Sequence, residues 1–288
     1  MLDWHNDQAA GLRRLVKLQE RRVIAVTSAS PADSAAVVAA AALELTARGA
    51  RVLVIDEHEG AQSIAAPLQC ATRYDLLQAA RRDVSISRAV VRVSNLLSLL
   101  PAARAASLLR EADAGERAAV ARCVEMAEQG AEFVLIRAAV DADGPSLLAR
   151  AANRIVLAVQ GHAAGLTDGY LLLKQVHAVI GHASYGVVLT RLRDGAARPA
   201  LIANLQRVSG DRLDAMLADF GSLPVPRDGQ PFAFTEVVAH GAAALADQLE
   251  RVEASTPQRP PGGMRRLLAR AGICGLMNSR SPLHGVAG

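Results

Sequence analysis

Short apolar runs, too continuous for strands with one wet face, recur along this chain with helical patterns between them. That alternation narrows the fold more than any other feature. Val23-Ile-Ala-Val-Thr27 comes first, followed by a loop and a long alanine-rich helix to about Arg48, which Gly49 punctuates. Arg51-Val-Leu-Val-Ile-Asp56 is a second strand ending in a carboxylate. Further strands are expected at Asn95–Leu100, Glu132–Ile136, Arg154–Val159 and Tyr185–Thr190. Helices fit at about 114–129, 164–180, 197–208 and 234–253. Strands apolar on both faces and alternating with helices define an α/β fold: a single doubly wound, mostly parallel sheet with helices on both faces.

The chain of 288 residues is 51% hydrophobic, which excludes a disordered polymer, and with 3% aromatics its core must be aliphatic. No uncharged apolar run reaches the ~18 residues of a membrane span, and residues 1–30 lack a signal-peptide pattern, so a cytoplasmic chain is expected. Residues 6–22 read as a helix capped by Asn6 or Asp7, with Ala9, Leu12, Leu15, Val16 and Gln19 along one side. The α/β domain spans 23–254, after a segment 1–22. Ser255–Gly263 is a Pro/Gly-rich linker, and 264–277 is a basic amphipathic helix. The tail 278–288 is too polar and too broken by Gly and Pro to fold.

Several residues carry no specialised chemistry on this reading. Cys70, Cys123 and Cys274 are odd in number and far apart, which indicates neither a disulfide framework nor a zinc site. His162, His177 and His182 fit no compact ligand spacing, so no metal site is expected. Gly161–Gly165 and Asp168 are read as a loop and a helix cap. The arginines at 81–82, 191 and 193 are read as a solvated basic face, and nucleic acid is not expected as a partner.

Ligands of doubly wound sheets sit at the carboxyl ends of the strands, and the connection after the first strand is where a phosphate loop belongs. Such a loop needs glycines to curl its amides round phosphate, a lysine for the outer phosphates, and a Ser or Thr hydroxyl for magnesium. Here the basic residues are almost all arginine: of 32 Lys+Arg, only Lys17 and Lys174 are lysines, and neither is near that loop.

Four stretches resemble the MinD/ParA superfamily of deviant Walker ATPases, and within it the FlhG-type (FleN, YlxH) flagellar-number regulators. They are Val23-Ile-Ala-Val-Thr-Ser28, Arg51-Val-Leu-Val-Ile-Asp56, Ala131-Glu-Phe-Val-Leu-Ile136 and Leu166-Thr-Asp-Gly-Tyr-Leu-Leu-Leu-Lys174. Tyr74-Asp-Leu-Leu77 and Leu99-Leu-Pro-Ala102 also sit where the family has similar words. The resemblance covers residues 6 to 250 and implies a P-loop NTPase-like fold of the SIMIBI/MinD type.

The family's K-G-G-x-G-K-[ST] word falls on Ser30-Pro-Ala-Asp-Ser-Ala-Ala36. Ser30 stands for the signature lysine, Ala35 for the phosphate lysine and Ala36 for the magnesium hydroxyl, while Asp33 brings a negative charge to the phosphate position. Ser28 precedes the word. After Asp56 the water-activating carboxylate is replaced by His58, the magnesium-side aspartate is Arg137, and the adenine-reading asparagine is Thr190. The expectation is a degenerate pseudo-ATPase with no catalytic residues and no cofactor, binding ATP and magnesium as the family does only if the altered loop still accepts them. Without the signature lysine, no ATP-dependent sandwich dimer is expected.

The resemblance places the function at the two ends. Asp7-Gln-Ala-Ala-Gly-Leu-Arg13 fits the family's DQAxxLR activator of an FlhF-like GTPase, with Asp7, Gln8, Ala9, Leu12 and Arg13 as the partner-binding residues. Met264, Arg265, Arg266, Leu267, Leu268, Arg270 and Ala271 would lie on an anionic inner membrane, making the protein peripheral there. Flagellar transcription or basal-body factors are further partners the family suggests. The alternative is a functional MinD/ParA-type ATPase of flagellar positioning or partitioning.

Overall fold

The computed structural model describes residues 21–181, 184–225 and 241–251. In chain order the elements are β1 (Arg22–Ser28), α1 (Pro31–Ala47), β2 (Val52–Asp56), α2 (Leu76–Ala80), α3 (Ile86–Ala89), β3 (Val91–Arg92), β4 (Leu97–Pro101) and α4 (Ala103–Leu108). Then come α5 (Ala114–Ala127), β5 (Phe133–Arg137), β6 (Val140–Asp141), β7 (Gly144–Pro145), α6 (Leu147–Arg150) and β8 (Arg154–Gln160). The chain continues through α7 (Ala163–Ile180), β9 (Ser184–Thr190), α8 (Arg198–Leu213), β10 (Leu217–Leu223) and α9 (Ala242–Glu250).

Eight strands form one sheet in the order β10-β9-β8-β1-β5-β2-β4-β3, parallel throughout except for the edge pair β3–β4. The apolar runs serve both faces. Ile24 and Val26 of β1 pack with Val37 to Ala42 of α1 and with Leu245 and Leu249 of α9, whereas Val23 and Ala25 join the opposite layer. That second layer takes Val120 and Val124 from α5, Leu172, Leu173 and Val176 from α7, and Ile202 and Leu205 from α8. Alanines at 39–42 keep α1 thin enough to lie close on the sheet, which is the physical use of the alanine-rich composition.

The neighbouring strands β1 and β5 send their connections in opposite directions along the sheet, β1 towards β2 and β5 towards β8. A crevice therefore opens between their carboxyl ends.

Several expectations need correction. The strand expected from Asn95 begins at Leu97, because Asn95 and Leu96 form the tight turn from β3, where the Ser94 hydroxyl accepts from the Leu96 and Leu97 amides. A tenth strand, β10, has no counterpart among the strands expected from sequence. Gly221 and Ser222 break its apolar run, and the register with β9 shifts between Asp219 and Ser222. Of the helix expected at 234–253, residues 234–240 and 252–253 lie outside the described residues; within them it runs from Ala242 to Glu250, after Gly241 at φ +132°. The segments 1–20 and 252–288, with the motif at 7–13, the linker and the basic helix, lie outside the described residues.

Candidate functional site

The connection after β1 is two residues long. Ala29 and Ser30 join the strand to a helix that starts at Pro31, and proline at the first helical position is pre-set for that start. Pro31 to Ala36 are therefore the opening turns of α1 rather than an open loop. The amides of Asp33 and Ser34 donate to the Ser30 carbonyl at 3.0 and 3.3 Å. The Ser30 amide donates to the Ser28 hydroxyl, which itself donates to Ala158 of β8 at 2.7 Å. The Ser30, Asp33 and Ser34 amides, which a phosphate loop would turn towards its ligand, are therefore committed within the chain.

Asp33, sealed from solvent, supplies the negative charge that a helix N-terminus favours. Its carboxylate accepts from the Thr190 hydroxyl and from Arg191 Nε, both at 2.8 Å. Arg191 follows β9 with a left-handed backbone, φ 53°, which is uncommon for a side chain of this size. The basic face expected from 81–82, 191 and 193 is corrected here: the Arg191 side chain is only 10% exposed and serves Asp33.

At the end of β5, Arg137 lies in register with Val26 of β1 and Asp56 of β2. Its guanidinium is completely buried. It donates to Asp56 Oδ1 at 3.0 Å, the Ser34 hydroxyl at 3.2 Å and the Pro31 carbonyl at 2.7 Å, and also to the Gln62 carbonyl. Burial pulls its pKa down while Asp56 pulls it back up. Asp56 also accepts from the Ser63 hydroxyl and from the amides of Ile64 and His58. A buried charge pair survives when its remaining hydrogen-bonding capacity is met, as it is here.

Beside this pair, Glu57 is buried and accepts from the Ser146 hydroxyl and the Ala139 amide. Burial pushes its pKa up to about 7. His58 moves the other way: burial, then the Arg137 charge, lowers it to about 4, so the imidazole is neutral at pH 7. Its Nδ1 lies 3.8 Å from Asp56 Oδ1 and has no hydrogen-bond partner among the described residues.

A magnesium nucleotide does not fit this set. Ala35 and Ala36 are buried helix residues with neither amine nor hydroxyl, a paired guanidinium sits at the magnesium side, and the Asp33–Arg191 pair leaves a carboxylate, not a cation for phosphate, at the helix start. Six of the eight positions singled out in sequence come together at the strand ends. Ser28, Ser30, Asp56, His58, Arg137 and Thr190 enter one hydrogen-bonded neighbourhood, while Ala35 and Ala36 belong to the core. Sequence reasoning misses the Ser34–Arg137 contact and the inward turn of Arg191, since partners 103 and 158 residues apart leave no local signal, and it also misses Ser63, which reaches back seven residues to Asp56.

Among the remaining candidates, His162 caps α7 by accepting from the Gly165 amide, a role expected of Asp168, which is instead an exposed residue within that helix. His177 contacts Tyr185. The described residues contain no group of three or more His, Cys, Asp or Glu placed to hold a metal. They also contain no helix long and apolar enough to cross a membrane.

A cleft of about 1050 Å³ opens over these strand ends. Its floor is Glu57, His58 and Ala138 to Val140, with α4 and Glu111 on one side and α7 from Asp168 to Gln175 on the other.

This sheet, with helices on both faces and its crevice between β1 and β5, is the MinD/ParA-type P-loop NTPase fold. The chain is similar to a chain of the MinC:MinD cell division complex of Aquifex aeolicus, with TM-score 0.58 and 18% identity over 82% of this chain and 98% of that one. It is similar to cobyrinic acid a,c-diamide synthase of Mycobacterium smegmatis, with TM-score 0.55 and 22% identity over 84% and 100%. It is also similar to the ATP complex of a Cyanothece McdA variant, with TM-score 0.54 and 17% identity over 89% and 98%. No family model and no curated relative matches the sequence.

Proposed function

We propose that this chain is an FlhG/MinD-like regulator of flagellar placement or number that works by binding partners without nucleotide control. The observation that carries the reading is the buried Arg137–Asp56 pair at the strand ends, beside a helix joined to β1 by only two residues. Phosphoryl transfer depends on positioned cations and metal ligands, and here the cations near the strand ends are already neutralised by Asp56 and Asp33. Partner binding then rests on Asp7–Arg13 towards an FlhF-like GTPase, and membrane contact on Met264–Ala271. The likeness to MinD is in keeping with action through partners, since that neighbour is a component of a MinC:MinD complex.

Three experiments test this. Calorimetry with Mg-ATP should give no saturable heat, and a Kd tighter than about 100 μM overturns the nucleotide-independent reading. A peptide covering residues 1–22 should stimulate GTP turnover by an FlhF-type protein, and full-length Arg13→Ala should lose that stimulation. An inert peptide together with an unaffected variant removes the GTPase partner. Leu267→Glu should abolish sedimentation with anionic liposomes, and unchanged sedimentation removes the membrane contact.

The second reading, a working positioning or partitioning ATPase, is favoured by one observation: an ATP complex of McdA is among the similar structures. The Mg-ATP titration separates the two.

A further inference from the structure

A nucleotide pocket is electropositive, and this cleft is not. Of its lining side chains, Glu57, Glu59, Glu111 and Asp168 are acidic, and Arg104 is the one arginine or lysine among the described residues that line it. Arg104 is engaged by Asp75 at 2.5 Å, with Glu59 also within its electrostatic reach. Glu111 and Asp168 are exposed, on opposite walls, and form no ion pair among the described residues. Apolar side chains alternate with these carboxylates: Leu77 and Leu108 near α4, Leu171 and Leu172 on α7. Leu171 is 55% exposed, unusual for a leucine in the middle of a packed helix. His58 adds a buried nitrogen with its hydrogen bond unmade.

We propose that this cleft receives a basic amphipathic helix from a partner protein, with its leucine-like face on Leu108 and Leu171 and its arginines or lysines on Glu111, Asp168 and Glu59. The assignment rests on the reading that nucleotide does not occupy the site, and it names the chemistry of what does. Charge selects the occupant: an anionic ligand meets the exposed carboxylates of Glu111 and Asp168 with Glu59 nearby, whereas a cationic one meets, in Glu111 and Asp168, carboxylates that have no ion-pair partner among the described residues. Size and shape select a helix. At about 1050 Å³ the cleft is at the upper end of what encloses a small molecule, it is walled by α4 and α7, and its apolar side chains offer anchors that a hydrophilic cation does not use.

The test is fluorescence anisotropy with the full chain and a labelled, amidated helical peptide of about 16 residues, leucine on one face and arginine on the other. Micromolar binding is expected, weakening as salt rises, with no binding by the same peptide carrying glutamate for arginine. Glu111→Lys combined with Asp168→Lys should weaken binding about tenfold or more, and Leu171→Asp should do so independently. Both sites are exposed, so circular dichroism should be unchanged. No binding, or equal binding by the charge-reversed variant, overturns the proposal.

Two further arms identify other occupants. If full-length Leu267→Glu binds the peptide about tenfold more tightly, the chain's own segment 264–277 fills the cleft and the partner assignment falls. If spermine displaces the peptide while Leu171→Asp has no effect, the site takes a small cation and the helix falls. Mg-ATP titrated into the same samples keeps the two readings apart. Saturable ATP binding overturns the nucleotide-independent function, whereas loss of peptide binding alone overturns only this assignment.

Discussion

Arg137 and Asp56 are register partners across the parallel β2–β5 pair, joined at 3.0 Å with both side chains sealed from water. At the carboxyl ends of these strands the chain itself supplies both charges. The negative member keeps three other donors, from Ser63, Ile64 and His58. The positive member keeps only neutral acceptors, on Ser34, Pro31 and Gln62.

Breaking such a pair strands a buried charge, whereas replacing both members with apolar groups removes the desolvation cost with the attraction. Arg137→Ala and Asp56→Ala should each cost about 3–5 kcal/mol in urea unfolding, with Asp56→Ala the worse because the guanidinium then has no anion. Arg137→Met combined with Asp56→Leu should recover most of that loss. A double variant no more stable than either single one contradicts the ion-pair account.

The sheet is largely readable in sequence because β1, β2, β5, β8 and β9 are unbroken apolar runs that nothing but burial on both faces explains. The site is only half readable. Arg137 can be seen as a lost magnesium ligand, but not as Asp56's partner 81 residues away, since only strand register brings the two together. Pro31 after Ser30 is a local helix-start signal, and laying a seven-residue loop template over it hides how short the connection is. Arg191 reads as surface because its left-handed backbone, which turns the side chain inward, has no signature in an Arg-Leu-Arg sequence.

Glu57 and His58 give adjacent, opposing pH signatures. Glu57 is held at about 7 against an ordinary 4.5, so the folded state binds the extra proton and stability falls as pH rises from about 4.5 to 7. His58 is held at about 4 against 6.5, so the unfolded state binds the extra proton and stability rises with pH over about 4 to 6.5. The two slopes oppose each other in the native protein. Glu57→Gln should therefore expose the rise, and His58→Gln the fall. Urea midpoints at pH 4.5, 5.5, 6.5 and 7.5 distinguish them, and parallel profiles in the two variants contradict the assignment.

Restoring the two missing loop side chains should not restore nucleotide binding. Ala35→Lys with Ala36→Thr supplies the amine and hydroxyl, but the Asp33 and Ser34 amides remain bound to Ser30 and the Asp33 carboxylate stays in place. Positions 35 and 36 are only 7% and 2% exposed, so the added groups also strain the core. The expected outcome is a loss of about 1–3 kcal/mol in stability and no Mg-ATP Kd tighter than about 100 μM by calorimetry. Saturable binding by this variant would show that helix α1 opens more readily than its hydrogen bonds imply.

The wall formed by α7 depends on two glycines one turn apart. A Cβ on Gly169 would lie 2.7 and 2.8 Å from the Val159 methyls of β8, and one on Gly165 would lie 2.5 Å from Gln160 Cβ and 2.6 Å from its carbonyl oxygen. Alanine is the better helix former by about 1 kcal/mol, so a helix without this close approach would gain from either change. Here the contact should win: Gly169→Ala is expected to cost about 1–3 kcal/mol by thermal or urea unfolding. The obstacle at Gly169 is a pair of methyl groups, so Val159→Ala in the same chain should relieve it and return part of the loss. At Gly165 the obstacle includes backbone, so trimming Gln160 to alanine should return little. Equal rescue at both sites would mean that α7 is held away from β8 by something other than the close contact of its glycines.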